Sequence, residues 1–228
     1  MFRILKTFIL LCLLHAFVVQ ADTSWEKQSS RYLEQLIISN PDRLPGLNEP
    51  AVVEFYQQRK YKPLWSDEEG RLDRAYDLLR VIVRSKDEGL EPADYYLEDF
   101  NRFWDSPGLG ESVQLDLLLS SALYRYASDV HSGRFKASDL DPDWHIKNKP
   151  LDVSRLFADV ARKSSITKLL KELPPQHSGY QSLKQQLLYL RELAQQGGWQ
   201  QLGSVSYTHL TLPTRCHRCS SRWWAWVL

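Results

Sequence analysis

Cysteine is almost missing from this chain. Of three cysteines in 228 residues, Cys12 lies in an apolar leader, and only Cys216 and Cys219 follow, both near the end. No disulfide framework can staple the residues between them, so a hydrophobic core has to hold the body together. Acidic residues are absent from the first 21 positions and from everything after Gly203. Between those two stretches 28 acidic residues face 24 basic ones, a net of −4. A slightly acidic body suits a polyanion poorly, because phosphate neutralisation dominates nucleic-acid affinity, and no nucleic-acid partner is expected. There is no Gly-rich phosphate loop and no nucleophile elbow. Nor is there an internal repeat, a low-complexity segment, or an alternating run of the kind a half-buried strand requires.

The apolar run Thr7–Val19 has 13 residues and is interrupted by His15. A membrane-spanning helix needs about 20. Arg3 and Lys6 make a short positive head, and Val19-Gln20-Ala21 places small residues at the −3 and −1 positions of a cut before Asp22. This three-part pattern predicts a secretory signal peptide over residues 1–21 and a periplasmic location; an anchor retained in the inner membrane is the alternative. Cys12 sits among leucines without the small residue that a lipoprotein cut requires before its cysteine.

What is present from Asp22 to Gly203 is helical periodicity. Trp25, Tyr32, Leu33, Leu36 and Ile37 share a stripe over 24–39, ended by Asn40-Pro41. Pro45-Gly46 marks a turn. Pro50 opens a helix over 49–60 that buries Val52, Val53, Phe55 and Tyr56. Lys62-Pro63-Leu64-Trp65 is extended, since the residue before proline avoids the helical region. Residues 66–70 form an acidic turn. Leu72, Ala75, Leu78, Leu79 and Ile82 predict an amphipathic helix over 72–84, with Gly89 beyond its end. Short helical turns are expected at 91–94 and 98–104, and Ser106-Pro107-Gly108 breaks the chain. The longest helix is predicted over 111–130, closed by Gly133. After an irregular loop over 138–149, helices follow over 151–162, 164–173 and 176–196, the last ended by Gly197-Gly198. The fold class is mostly α: an irregular multi-helix domain over 22–203 with no convincing sheet.

Residues 204–228 differ in kind. Three of the eight tryptophans crowd the last six positions, and helical periodicity is lost. Val205–Thr214 resembles the translation of a sequencing-adapter read, so this tail is expected to be non-native and disordered. Cys216-His217-Arg218-Cys219, with His209, is the one cluster of metal-ligand type. A single C-x-x-C without a second spaced pair is a weak zinc or redox signal. As thiol nucleophiles the same cysteines lack an oxyanion hole or a positioned base.

Other candidates weaken when set against plainer readings. Asp129, His131 and Arg134, just past the longest helix, form either a polar cluster at a groove or a set of C-terminal capping groups; capping is favoured. Asp67, Glu68 and Glu69, or Asp139, Asp141 and Asp143, could supply the two carboxylates of glycoside cleavage, but solvated turn acids explain them. Trp65, Tyr95, Tyr96, Trp104 and Trp144 could stack on sugars, yet rings of this kind also seal irregular helical cores, which is favoured. No catalytic, cofactor-binding or metal-binding residue is assigned, and no cofactor is expected.

Four motifs, in order, carry a family resemblance: Phe55-Tyr56-Gln57-Gln58-Arg59-Lys60-Tyr61-Lys62-Pro63-Leu64-Trp65; Arg84-Ser85-Lys86-Asp87-Glu88-Gly89-Leu90-Glu91-Pro92-Ala93-Asp94-Tyr95; Leu123–Arg134; and Tyr189-Leu190-Arg191-Glu192-Leu193. Together they resemble the scaffold region of the large periplasmic peptidoglycan L,D-transpeptidases of Gram-negative bacteria, over about Glu49 to Trp199. The resemblance implies that a peptidoglycan-binding module and a mainly β catalytic domain follow the scaffold. A cysteine of that domain forms a thioester with a tetrapeptide stem and passes the acyl group to another stem's amine, making a 3→3 crosslink. The Ser-His-Gly-Cys-type run of that domain does not occur here, so no catalytic residue is carried over. The expected role is a scaffold fragment, inactive alone, whose partners are peptidoglycan and the missing catalytic and binding domains. The alternative is a free-standing periplasmic helical binding or adaptor protein; a small zinc protein using the tail is a third possibility.

Overall fold

A computed structural model of the protein describes residues 25–39, 49–106, 108–136, 139, 143 and 149–199. The leader, the Pro45-Gly46 turn, Asp141, Trp144 and the tail with His209, Cys216 and Cys219 lie outside the described residues. The chain divides into two units, residues 1–188 and 189–228.

The described residues are mostly helical. The first unit contains α1 (25–39), α2 (Pro50–Gln58), α3 (Asp73–Val83), α4 (Leu97–Phe103) and α5 (Leu109–Ser132). It continues through α6 (Val153–Arg162), α7 (Thr167–Glu172) and the start of α8 (Ser178–Gln195). Two 3-10 turns, Ser85–Glu88 and Pro92–Tyr95, join α3 to α4. The expected acidic turn carries a small addition: Ser66–Asp67 (β1) and Gly70–Arg71 (β2) pair antiparallel as a two-residue ladder. So short a ladder has no period for sequence reading to detect, which is why only a turn was expected.

The core forms around α5, whose Leu115, Leu117, Leu118, Leu119, Ala122 and Leu123 are all buried. Apolar residues fill three faces of this helix because α2, α3 and α4 all pack on it. Val52 and Tyr56 of α2, Leu78 and Ile82 of α3, and Phe100 of α4 supply the opposing surfaces. The Phe55 and Phe157 rings stack at 4.4 Å and tie α6 to α2. Gly89 ends the first 3-10 turn with φ of 77°, a left-handed conformation that glycine adopts without steric cost. By contrast α8 buries none of its residues, and Leu183 and Leu188 stand exposed.

In the second unit the described residues are the last turns of α8 and a short exit. Gly197 and Gly198, with φ of 107° and 71°, end the helix as their spacing predicts.

Candidate functional site

The chain leaves α2 through two consecutive non-glycine residues in the left-handed region, Lys60 at φ 56° and Tyr61 at φ 58°. Each such residue costs on the order of 1 kcal/mol, so the turn persists only because its surroundings hold it. The Tyr61 amide donates back to the Tyr56 carbonyl at 2.8 Å, closing the helix end. The turn delivers Lys62-Pro63-Leu64-Trp65, which belongs to no helix or strand and bends at Leu64-Trp65, so the buried backbone donors of Leu64 and Trp65 need acceptors.

Asp116, on the buried face of α5, provides them. Its Oδ1 accepts from the Leu64 amide at 2.9 Å, and its Oδ2 accepts from the Trp65 amide at 2.7 Å. The Tyr56 hydroxyl donates to Oδ1 and lies 2.8 Å from Ser120 Oγ. The Ser66 hydroxyl reaches Oδ2 at 3.3 Å, and the Trp65 indole N–H donates to Ser120 Oγ at 2.8 Å. One turn earlier on the same face, Ser112 accepts from the Arg71 guanidinium. Ser112, Asp116 and Ser120 therefore form a polar stripe of period four that receives the whole segment from Tyr56 to Arg71.

Burial pushes the Asp116 carboxyl up from its ordinary value, while the four donors act in the opposite sense. Burial likewise raises Tyr56 well above the ordinary phenol range, so the Tyr56 hydroxyl stays a donor. Every oxygen of Asp116 is engaged and the residue is closed to solvent. Chemically this node can anchor a chain segment, and it has no free lone pair with which to take a substrate proton.

A second pair of charges on α3 holds the ends of two other helices. Arg74 Nε donates to the Leu64 carbonyl at 2.7 Å, and its Nη1 reaches the Val160, Ala161 and Lys163 carbonyls at 3.2–3.4 Å, so a cation sits at the carbonyl end of α6. One turn further on, Asp77 accepts from the Ile166 amide at 2.8 Å and from the Ser165 hydroxyl at 2.7 Å, placing an anion at the amide end of α7. No side chain of α7's own N-cap does this. Burial pushes Asp77 up, but hydrogen bonds from Ser165, Thr167, the Ile166 amide and Arg80 outweigh it and hold the carboxyl at about 2.

The sign of the pH effect follows. Between about 2 and the ordinary 3.8, unfolded Asp77 binds more protons than the folded residue. Its contribution is complete above the unfolded value and is lost as pH falls through the folded one. We expect wild-type stability to drop by about 1–2 kcal/mol more than that of Asp77→Asn on acidification from pH 5 to pH 2. Melting curves across that range check this, and parallel losses in the two proteins would refute it.

The weighed candidates separate as follows. Trp65 and Tyr95 are fully buried core residues, while Tyr96 and Trp104 are half-buried against the core. Asp67 does turn work, its Oδ1 accepting from the Glu69 and Gly70 amides. Asp139 and Asp143 are exposed. The favoured capping reading of Arg134 needs correcting: its guanidinium pairs with Asp94 at 2.7 Å instead of covering the last α5 carbonyls. Tyr95 donates to Asp129 at 2.8 Å, and Asp94, Arg125, Asp129 and Arg134 line one small pocket that His131 does not line. The long α5 ends at Gly133, whose amide caps Asp129, and the chain then carries Arg134 sideways toward the 92–95 turn. The polar stripe of α5 was missed in the sequence. Its signal was there, a Ser, Asp and Ser four apart inside a leucine-rich helix.

Among the described residues no group of three or more histidine, cysteine, aspartate or glutamate side chains is placed to hold a metal ion, and no helix is long and apolar enough to cross a membrane. A family model described as Scaffold domain matches residues 50–187. No curated protein and no solved structure matches the chain.

Proposed function

The chain belongs to the Scaffold domain family, and from that premise we propose that it is the scaffold region of a peptidoglycan L,D-transpeptidase, acting in the periplasm. Its work is to hold and orient a catalytic domain on murein, and the crosslinking cysteine lies outside these 228 residues. The observation that carries the reading is the coincidence of motif and architecture. The run from Phe55 to Trp65, first of the four resembling motifs, is the segment that Asp116 and Ser120 anchor. A motif built into a buried node that offers no reactive group fits a holding role.

Two experiments test this. Incubated with isolated muropeptides, the purified chain is expected to form no 3→3 crosslinks above background by chromatography with mass detection. Crosslinking by the chain itself would overturn the scaffold role. Genomic DNA downstream of the Trp199 codon, read independently, is expected to continue into a cysteine-containing β domain. A native frame ending in Trp-Ala-Trp-Val-Leu would sink the transpeptidase parent and favour a free-standing periplasmic adaptor.

A further inference from the structure

Between α3, the turn after it, α5, α7 and the first turns of α8 lies a cleft of about 650 Å³. Tyr126 of α5 lines it and is 3% exposed. The Tyr126 ring is buried, but its hydroxyl, which has no hydrogen bond among the described residues, is not one of their buried unpartnered atoms (Arg71 Nε and Ser85 Oγ) and so opens onto the cleft. Burial and the nearby carboxylates of Glu88 and Asp87 raise its pKa, so the hydroxyl stays a donor.

The charges around it are unevenly matched. Arg80 is committed to Asp77, and Lys184 to Glu88, which also accepts from the Tyr180 hydroxyl at 2.6 Å. Arg84 and Lys171 line the same cleft without a carboxylate partner among the described residues. Asp87 is the one remaining carboxylate of the lining. Two uncommitted cations and a phenol donor line a space far larger than a single oxyanion, within the usual range for an organic ligand. Leu170 and Pro174 add an apolar wall; the Gln176 and Gln181 amide nitrogens donate to the Lys171, Pro174 and Pro175 carbonyls, so these side chains have only their carbonyl oxygens to offer a ligand.

We propose that this cleft binds a short carboxylate-bearing peptide, its carboxylate held by Arg84 and Lys171 and accepting from the Tyr126 hydroxyl. The inference rests on the murein reading in one respect, namely that murein stems are short acidic peptides.

The test is calorimetric titration of the full chain with three probes: acetyl-Ala-Glu-Ala-Ala with a free C-terminus, which carries two carboxylates, the uncharged acetyl-Ala-Gln-Ala-Ala amide, and inorganic phosphate. The acidic peptide is expected to bind, and the neutral one to bind at least about tenfold more weakly. Arg84→Gln and Lys171→Gln, at exposed positions, should each weaken acidic-peptide binding by about tenfold with an unchanged melt. Tyr126→Phe, which keeps the buried ring, should weaken it severalfold. Absent peptide binding, or binding indifferent to Arg84→Gln and Lys171→Gln, overturns the proposal. Phosphate binding as tight as peptide binding also overturns it, since that describes an ion site without peptide selectivity. Sedimentation with isolated murein sacculi separates the two readings. Sacculus binding without peptide binding sinks the cleft alone, whereas cleft-dependent peptide binding in a chain whose native frame lacks a catalytic domain sinks the transpeptidase parent alone.

Discussion

Asp116→Ala is expected to destabilise the protein by about 3–5 kcal/mol, a large share of the 5–15 kcal/mol that holds a typical domain. The substitution removes the acceptor of two buried backbone amides, Leu64 and Trp65, in a segment that has no ladder to fall back on. Each unsatisfied buried donor costs about 1–3 kcal/mol. The Tyr56 and Ser66 hydroxyls suffer less, because Ser120 and Ser112 remain as neighbours. Two left-handed residues at Lys60 and Tyr61 add to the loss, since the anchored segment is what holds them in that turn. Asp116→Asn should rescue only in part, because its amide group presents a donor where at least one oxygen now accepts. Urea denaturation monitored by circular dichroism reads the effect. A loss below about 1 kcal/mol for Asp116→Ala would mean that water replaces the carboxylate and that the node does not anchor the segment.

The same node shows what could and could not be read in the residues beforehand. Helices α2, α3 and α5 fall close to where their apolar spacing places them, because each buries a stripe of the right period. The start of α2 was legible from Pro50, the end of α5 from Gly133, and the end of α8 from Gly197-Gly198. The contact from Tyr56 to Asp116 spans 60 positions, and no local pattern encodes which polar residue of a long helix meets a distant turn. The same holds for Asp77, which caps α7 from 89 residues away. A cap normally stands at its own helix's N-terminus, so the local signal pointed to nothing. Arg134 misled for the opposite reason. Its position after α5 fits a dipole-complementing cation, and only the fold brings Asp94 within reach. Of the two uncommitted cations of the cleft, Arg84 follows the end of α3 and Lys171 lies on α7, so only packing brings them to one cleft.

Trp65→Ala is the second large effect we expect, again about 3–5 kcal/mol, and here the cause is volume as much as hydrogen bonding. The indole is wholly buried, and the alanine variant leaves a cavity beneath the segment that Asp116 anchors. Its backbone would still donate to Asp116 and accept from the Leu72 amide at 2.9 Å, so the loss isolates the ring. Trp65→Phe should cost only about 1–2 kcal/mol, because most of the apolar volume stays and Ser120 keeps its contact with Tyr56. Trp104→Ala, at a half-buried ring touching Tyr76 at 5.2 Å, should cost about 1 kcal/mol. Equal losses at Trp65 and Trp104 would contradict this ordering. The gradation also decides which variant can report on function. A functional loss through Trp65→Ala is confounded by its lost stability, whereas Trp65→Phe leaves the node assembled. In the longer transpeptidase proposed above, a crosslinking defect of Trp65→Phe with a melt lowered by only a few degrees would then belong to the geometry of the 56–71 segment and not to its stability.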